Sequence, residues 1–201
     1  MGHKHTRDEI LAGALATAFD GGLSRLTYGR VAKQLGINDR IVVYYFPSKD
    51  DLVGEVLTSM GVQLQQTLAP AFTAPAADHV ALARAAWPVL AHPTADPVFA
   101  LFFEANGLAT AGRAPYVQAV PQLVEAWIDW ASQLIEGAPD VRRAEAEAAI
   151  AVIDGLLLLR HLAGHEAADR AAHRLGIGPP RPKLHGTAVP PPAQAGDGTA
   201  R

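Results

Sequence analysis

Apolar residues recur at helical spacing from the start of the chain. In residues 6–20, TRDEILAGALATAFD, Ile10, Leu11, Ala14, Leu15, Ala18 and Phe19 follow the i, i+1, i+4 recurrence of an amphipathic helix. Thr6 suits the N-cap, with Glu9 as its capping-box partner. Gly21 and Gly22 end the helix. A second helix is expected from Tyr28 to Leu35, capped by Thr27, with Val31, Ala32 and Leu35 inward. Gly36 supplies the left-handed position that turns the chain. Asn38 caps a third helix through Tyr45, and Pro47 stops it. Ser48 caps a fourth, reaching about residue 68, with Asp50 and Asp51 at the positive end of its dipole.

Beyond a break at residues 70–75, the pattern predicts further helices at 78–91, 96–106, 115–136, 140–163 and 166–175. No segment alternates with the period of a strand, and no internal repeat is visible. The class is all-α. From Gly176 the chain turns to proline and glycine, with six prolines and five glycines in GIGPPRPKLHGTAVPPPAQAGDGTAR. Such a stretch buries too little apolar surface to offset its ordering entropy, so residues 177–201 are expected to be a disordered tail.

Composition narrows the function. Of 201 residues, 49% are hydrophobic and 18% charged, which is globular. No apolar run approaches the ~18 residues of a membrane span. The polar start MGHKHTRDEI lacks the apolar core of a signal peptide, so a cytoplasmic protein with no membrane partner is expected. There are no cysteines, which excludes disulfides, thiolate metal sites and cysteine nucleophiles.

The net charge of −3 hides a local excess. Between Gly21 and Lys49, Arg25, Arg30, Lys33, Arg40 and Lys49 face one anion, Asp39: a local +4 that leaves −7 to the rest. Such asymmetry points to a localised anionic partner. On the third helix, Asp39, Arg40, Val43 and Tyr44 share one side, while Asn38, Ile41 or Val42, Tyr45 and Phe46 lie toward the other, which can pack on the second and first helices. Two short crossed helices, one braced and one presenting charged and phenolic groups, make a helix-turn-helix whose second member fits the DNA major groove. The capped N-termini at Thr27, Asn38 and Ser48 can receive phosphates. Lys49 and Tyr44 suit the DNA backbone, and the basic stretch supplies salt-dependent affinity.

The stretch LTYGRVAKQLGINDRIVVYYFPSKDDL, residues 26–52, resembles the DNA-binding segment of the TetR family of transcriptional regulators. The resemblance rests on Thr27, Val31–Ala32, Gly36, Asn38, Tyr45–Phe46, Lys49 and Leu52, and covers the first quarter of the chain. The sequence departs from the family pattern at Arg40, where members carry a small residue, and at Val43, where they carry a phosphate-touching tyrosine. Arg40 is then expected to read guanine, Val43 a thymine methyl, and Asp39 to accept from cytosine or hold Arg40. The DNA-facing set is Thr27, Tyr28, Asn38, Asp39, Arg40, Val43, Tyr44 and Lys49, with double-stranded DNA as partner.

The resemblance implies three regions: a three-helix DNA-binding domain over residues 1–48, a larger helical ligand-binding and dimerisation domain over 49–176, and the tail. It also implies a homodimer and a small-molecule effector whose binding releases a repressor from a palindromic operator. Residues 148–159, apolar on nearly every side apart from Asp154 and Gly155, independently suit a core or an interface. For an effector pocket the candidates are Trp87, Phe99, Phe102, Phe103, Tyr116, Trp127 and Trp130, with His92, Glu104 and Asn106 as orienting groups; the same inventory fits an ordinary core. No cofactor, metal site or enzymatic motif is expected. His161 and His165 stand four apart, but in HLAGHEAAD rather than H-E-x-x-H. The rival readings are a helical protein-interaction module and a metal-binding one, without DNA binding.

Overall fold

The computed structural model describes residues 5–178, in which nine α-helices are joined by short turns and no strand forms. They are α1 Arg7–Gly21, α2 Tyr28–Leu35, α3 Asp39–Tyr45, α4 Lys49–Leu68, α5 His79–Leu90, α6 Asp96–Thr110, α7 Tyr116–Ser132, α8 Pro139–Ala163 and α9 His165–Arg174. Single 3-10 turns lie at Leu23–Arg25, Ala69–Ala71 and Pro93–Ala95.

Local chemistry sets the helix ends. Thr6 and Glu9 form both halves of the capping box, with Glu9 N–H on Thr6 Oγ1 at 3.2 Å and Thr6 N–H on the Glu9 carboxylate at 2.9 Å. At the end of α2, Gly36 adopts φ 67° and ψ 32°. Ile37 N–H reaches Ala32 O at 3.0 Å and Gly36 N–H reaches Lys33 O at 3.3 Å, the paired bonds of a Schellman motif.

Two expected helix ends differ. Helix α6 continues past Asn106 to Thr110, running through Gly107, because an isolated glycine weakens a helix without ending it. Helix α7 stops at Ser132 rather than 136. Residues 134 and 136 instead pair with the loop before α5: Ala76 N–H donates to Leu134 O at 2.7 Å, and Glu136 N–H to Ala76 O at 2.9 Å.

One core unites α1 to α4 with α6 and α7. Ile10, Ala14, Ala18, Val31, Val42, Phe46, Leu52, Val53 and Val56 are sealed in it beside Leu101, Ala105, Tyr116 and Val120. The expected division after residue 48 falls between Phe46 and Leu52, which share this core. A second core lies among α5, α6, α8 and α9, and Phe102 touches both. Ile177, assigned to the tail, is buried in that second core at 2% exposure. The rest of the expected tail, from residue 179, lies outside the described residues.

Candidate nucleic-acid interface and interior cavity

Helix α3 is braced from behind. Val42 and Phe46 are buried at 0% and 1% exposure, and Ile41 and Tyr45 pack on the same core. The Tyr45 hydroxyl donates to the His5 carbonyl. The α1–α2 crossing is tight, since a Cβ at Gly13 would lie 2.6 Å from Leu35 Cγ. Helices α1 and α2 thus hold a seven-residue helix that could not stand alone.

The opposite side of α3 is free. Asp39 and Arg40 are exposed, Val43 is 40% exposed and Tyr44 78%. Tyr44 keeps a T-shaped contact with Tyr45, ring centroids 5.0 Å apart, which limits its swing. No ion pair joins Asp39 to Arg40. Arg25, Arg30, Lys33, Arg40 and Lys49 are all exposed, and none has an ion-pair partner among the described residues. Basic groups left unneutralised around exposed helix starts form a surface that an anionic polymer can neutralise.

The remaining expected contacts sort by their geometry. Thr27 Oγ1 accepts from Arg30 N–H at 3.3 Å, Asn38 Oδ1 from Arg40 N–H at 2.9 Å, and Ser48 Oγ from Asp50 and Asp51 N–H at 3.1 and 3.3 Å. Thr27 and Asn38 are caps that stand exposed beside α3. Tyr28 leaves the free face: its hydroxyl is shielded from solvent, with no hydrogen-bond partner among the described residues. Burial, and then Asp51 and Asp50, push its pKa up, so it belongs to the packing around the start of α4.

Between α4, α5, α6, α7 and α8 lies an apolar cavity of about 90 Å³. Phe99, Phe102, Trp127 and Trp130 line it, as four of the ten candidates; Phe72, Met60 and Leu64 complete much of the wall. The two indoles meet edge to face at 5.2 Å. The others do not line it. Trp87 is buried in the second core, and Phe103 stacks on His161 at 5.8 Å. His92 caps the Pro93–Ala95 turn through Thr94, and Asn106 is not among the wall residues. Glu104 grips the turn between α1 and α2 instead. Its carboxylate accepts Leu23 N–H at 2.8 Å and Ser24 N–H at 2.9 Å. Burial pushes its pKa up, but the N–H donors at Ser24 and Leu23 outweigh this and leave it lowered.

Sequence reasoning missed the cavity's one ionisable wall residue, Asp154 of α8. It has no hydrogen-bond or ion-pair partner among the described residues, and burial raises its pKa to about 6. The signal was present as a lone acid in an otherwise apolar run. Among the described residues no group of three or more histidine, aspartate and glutamate side chains gathers to hold a metal. His165 lies 3.5 Å from Asp96, which Arg160 binds at 2.8 Å. No described helix is long and apolar enough to cross a membrane.

Residues 10–56 match the profile of the bacterial regulatory proteins of the tetR family. No curated protein sequence matches the chain. Among solved structures, a transcriptional regulator from Rhodococcus sp. Rha1 is similar at 18% identity and a TM-score of 0.65, covering 86% of this chain and 93% of that one. A TetR transcription regulator from Haloarcula marismortui is similar at 18% identity and a TM-score of 0.63, covering 85% and 95%. The multidrug binding protein EbrR, complexed with imidazole, is similar at 23% identity and a TM-score of 0.62, covering 89% and 99%.

Proposed function

We propose that this chain, a tetR-family regulator by its residues 10–56, acts as a homodimeric transcriptional repressor that a small molecule releases from a palindromic operator. The observation that carries the reading is α3 itself. Its buried side packs on α1 and α2, while Arg40, Val43 and Tyr44 stand exposed; the other four cations, Arg25, Arg30, Lys33 and Lys49, are exposed too, and none of the five has an ion-pair partner among the described residues. Arg40 reads guanine and Val43 a thymine methyl. Tyr44, Lys49 and the caps Thr27 and Asn38 meet phosphates.

Dimerisation has support in α8. Its inner side is buried, but Ala151, Gly155, Leu158 and Leu162 form an exposed stripe at spacings of four, three and four, and Leu162 is 74% exposed. The expectation of a helix apolar on all sides thus resolves into one face on the core and one open face. Small residues at 151 and 155 let a second copy's helix approach closely. Two α3 helices about 34 Å apart then suit successive major grooves.

The cavity among α4 to α8 is the effector site in this reading. About 90 Å³ is well below the ~300 Å³ at which ligand pockets begin. A ligand must therefore part the walls, which gives it different affinities for two conformations, the requirement for a population shift. EbrR, solved with a small molecule bound, lends this fold-level support.

The test is fluorescence anisotropy on random duplex and on genomic fragments selected by the protein. The expected result is tight binding to a palindrome, and weak binding to random DNA that falls steeply with salt. Equal, salt-insensitive affinity for both would reject the reading.

A further inference from the structure

The cavity combines two features that ordinarily exclude each other. Its walls are apolar and aromatic, with Phe72, Phe99, Phe102, Trp127 and Trp130 among them. Yet α8 sets one carboxylate, Asp154, into that wall with no partner among the described residues. No other titratable side chain faces the cavity from α4, α5, α6 or α7. Asp154 is half-buried, and a charge partly withdrawn from water without a partner is costly, so an ordinary core would carry leucine or valine there. The arrangement is complementary to a ligand with an apolar body and one positive charge. Aromatic faces attract such a charge, tryptophan most strongly, and quaternary ammonium groups are the type ligands of such aromatic walls.

We propose that the cavity takes a lipophilic organic cation, an amine or quaternary ammonium on an aromatic or branched apolar body, whose charge pairs with the Asp154 carboxylate against Trp127, Trp130 and Phe102. The inference rests on the reading of the cavity as the effector site. Burial holds the Asp154 pKa near 6, so the carboxylate is ionised in neutral solution and neutralised a little below it. The cation restores a partner to the anion, and its body fills the space between the indoles.

The experiment uses the full chain and two probes of nearly one shape, benzyltrimethylammonium and its neutral carbon isostere neopentylbenzene. Binding is read by calorimetry and by tryptophan fluorescence. At pH 8 the cation is expected to bind at least tenfold more tightly than the isostere. Asp154→Asn should weaken the cation at least tenfold and change the isostere less than threefold. The cation carries a permanent charge, so its affinity for the unaltered protein should also fall severalfold between pH 7.5 and pH 5. That pH series stands even where the variant folds poorly. If the isostere binds as well as the cation, or the cation's affinity is flat with pH, the cationic class is overturned while the effector cavity survives. If neither probe binds, the cavity reading falls and takes the inference with it.

Discussion

The carboxylate of Glu104 on α6 holds the backbone N–H groups of Leu23 and Ser24, some eighty residues earlier in the chain. Gly22 makes the grip possible. Its φ of 82° is one that side chains avoid, and a Cβ there would lie 2.8 Å from the Glu104 carboxylate. Two residues before Glu104, Phe102 lines the cavity and touches both cores. One rigid helix therefore joins the cavity wall to the turn between α1 and α2. Glu104→Ala is expected to cost about 1–3 kcal/mol, the range for partly buried N–H groups left without a charged acceptor. It should also reduce the change in operator affinity that an effector produces. Urea unfolding measures the first, and DNA titrations with and without ligand the second. Unaltered ligand coupling in a folded variant would remove α6 from the route.

Two glycines give opposite predictions. At Gly13 a Cβ meets Leu35 Cγ at 2.6 Å, whereas at Gly29 in α2 nothing lies within 4 Å. Gly13→Ala gains helix propensity but forces α1 and α2 apart, so a net loss of about 1–2 kcal/mol is expected. Gly29→Ala gains propensity without a clash and should stabilise by roughly 0.5 kcal/mol. Thermal unfolding of both variants checks the pair, and a common sign would contradict the close crossing.

The N-terminal region was the most legible part of the chain. Its helices carry explicit punctuation in Thr6, Thr27, Gly36, Asn38 and Ser48, and each acts where the pattern put it. The division of α3 into a core side and a free side followed from periodicity alone. Tyr28 escaped, because whether a half-buried tyrosine points its hydroxyl outward depends on the α4 residues around it. The cavity escaped more fully. An inventory of bulky side chains holds no record of which helices meet, so Glu104 and His92 looked like ligand groups when they fasten turns. Asp154 was visible as an interruption, but its meaning needed the surrounding walls.

Arg40 and Val42 are two positions apart on α3 and separate reading from folding. Arg40→Ala should leave stability within about 0.5 kcal/mol of the original, since the side chain is exposed and unpaired. It should cost about 1–3 kcal/mol at one base position and relax specificity there. Val42→Ala, at 0% exposure, should destabilise the fold by about 1–3 kcal/mol. Anisotropy on single-base operator variants tests Arg40. Equal losses on operator and random DNA would reduce Arg40 to a phosphate contact.

Leu158 and Leu162 lie one turn apart on the open stripe of α8, at 41% and 74% exposure. Leu162→Glu brings a charge into the interface of the proposed dimer, and a buried unpaired charge is costly. Sedimentation should show a dimer for the unaltered protein and a predominantly monomeric variant at micromolar concentration. Helical content should be unchanged, because Leu162 contributes little to the monomer's core. A variant that stays dimeric would move the interface elsewhere.

Asp154 also makes a prediction about stability that needs no ligand. Its pKa is raised to about 6 in the folded chain, against roughly 3.9 for an unfolded aspartate. Between these values the folded state holds the proton more firmly, so stability declines as pH rises through the interval. The contribution is complete below about pH 4 and lost above about pH 6. At 1.36 kcal/mol per unit the full effect is at most about 3 kcal/mol. Glu104 and Glu145, whose pKa values are lowered, act in the opposite sense and lose stability as pH falls. The comparison of Asp154→Asn with the unaltered protein cancels them. The variant's advantage should grow from near zero at pH 4 to about 2–3 kcal/mol by pH 8. Urea unfolding at several pH values measures it. A difference that does not vary with pH would mean that the Asp154 carboxylate is solvated, and that the cavity is wetter than its walls imply.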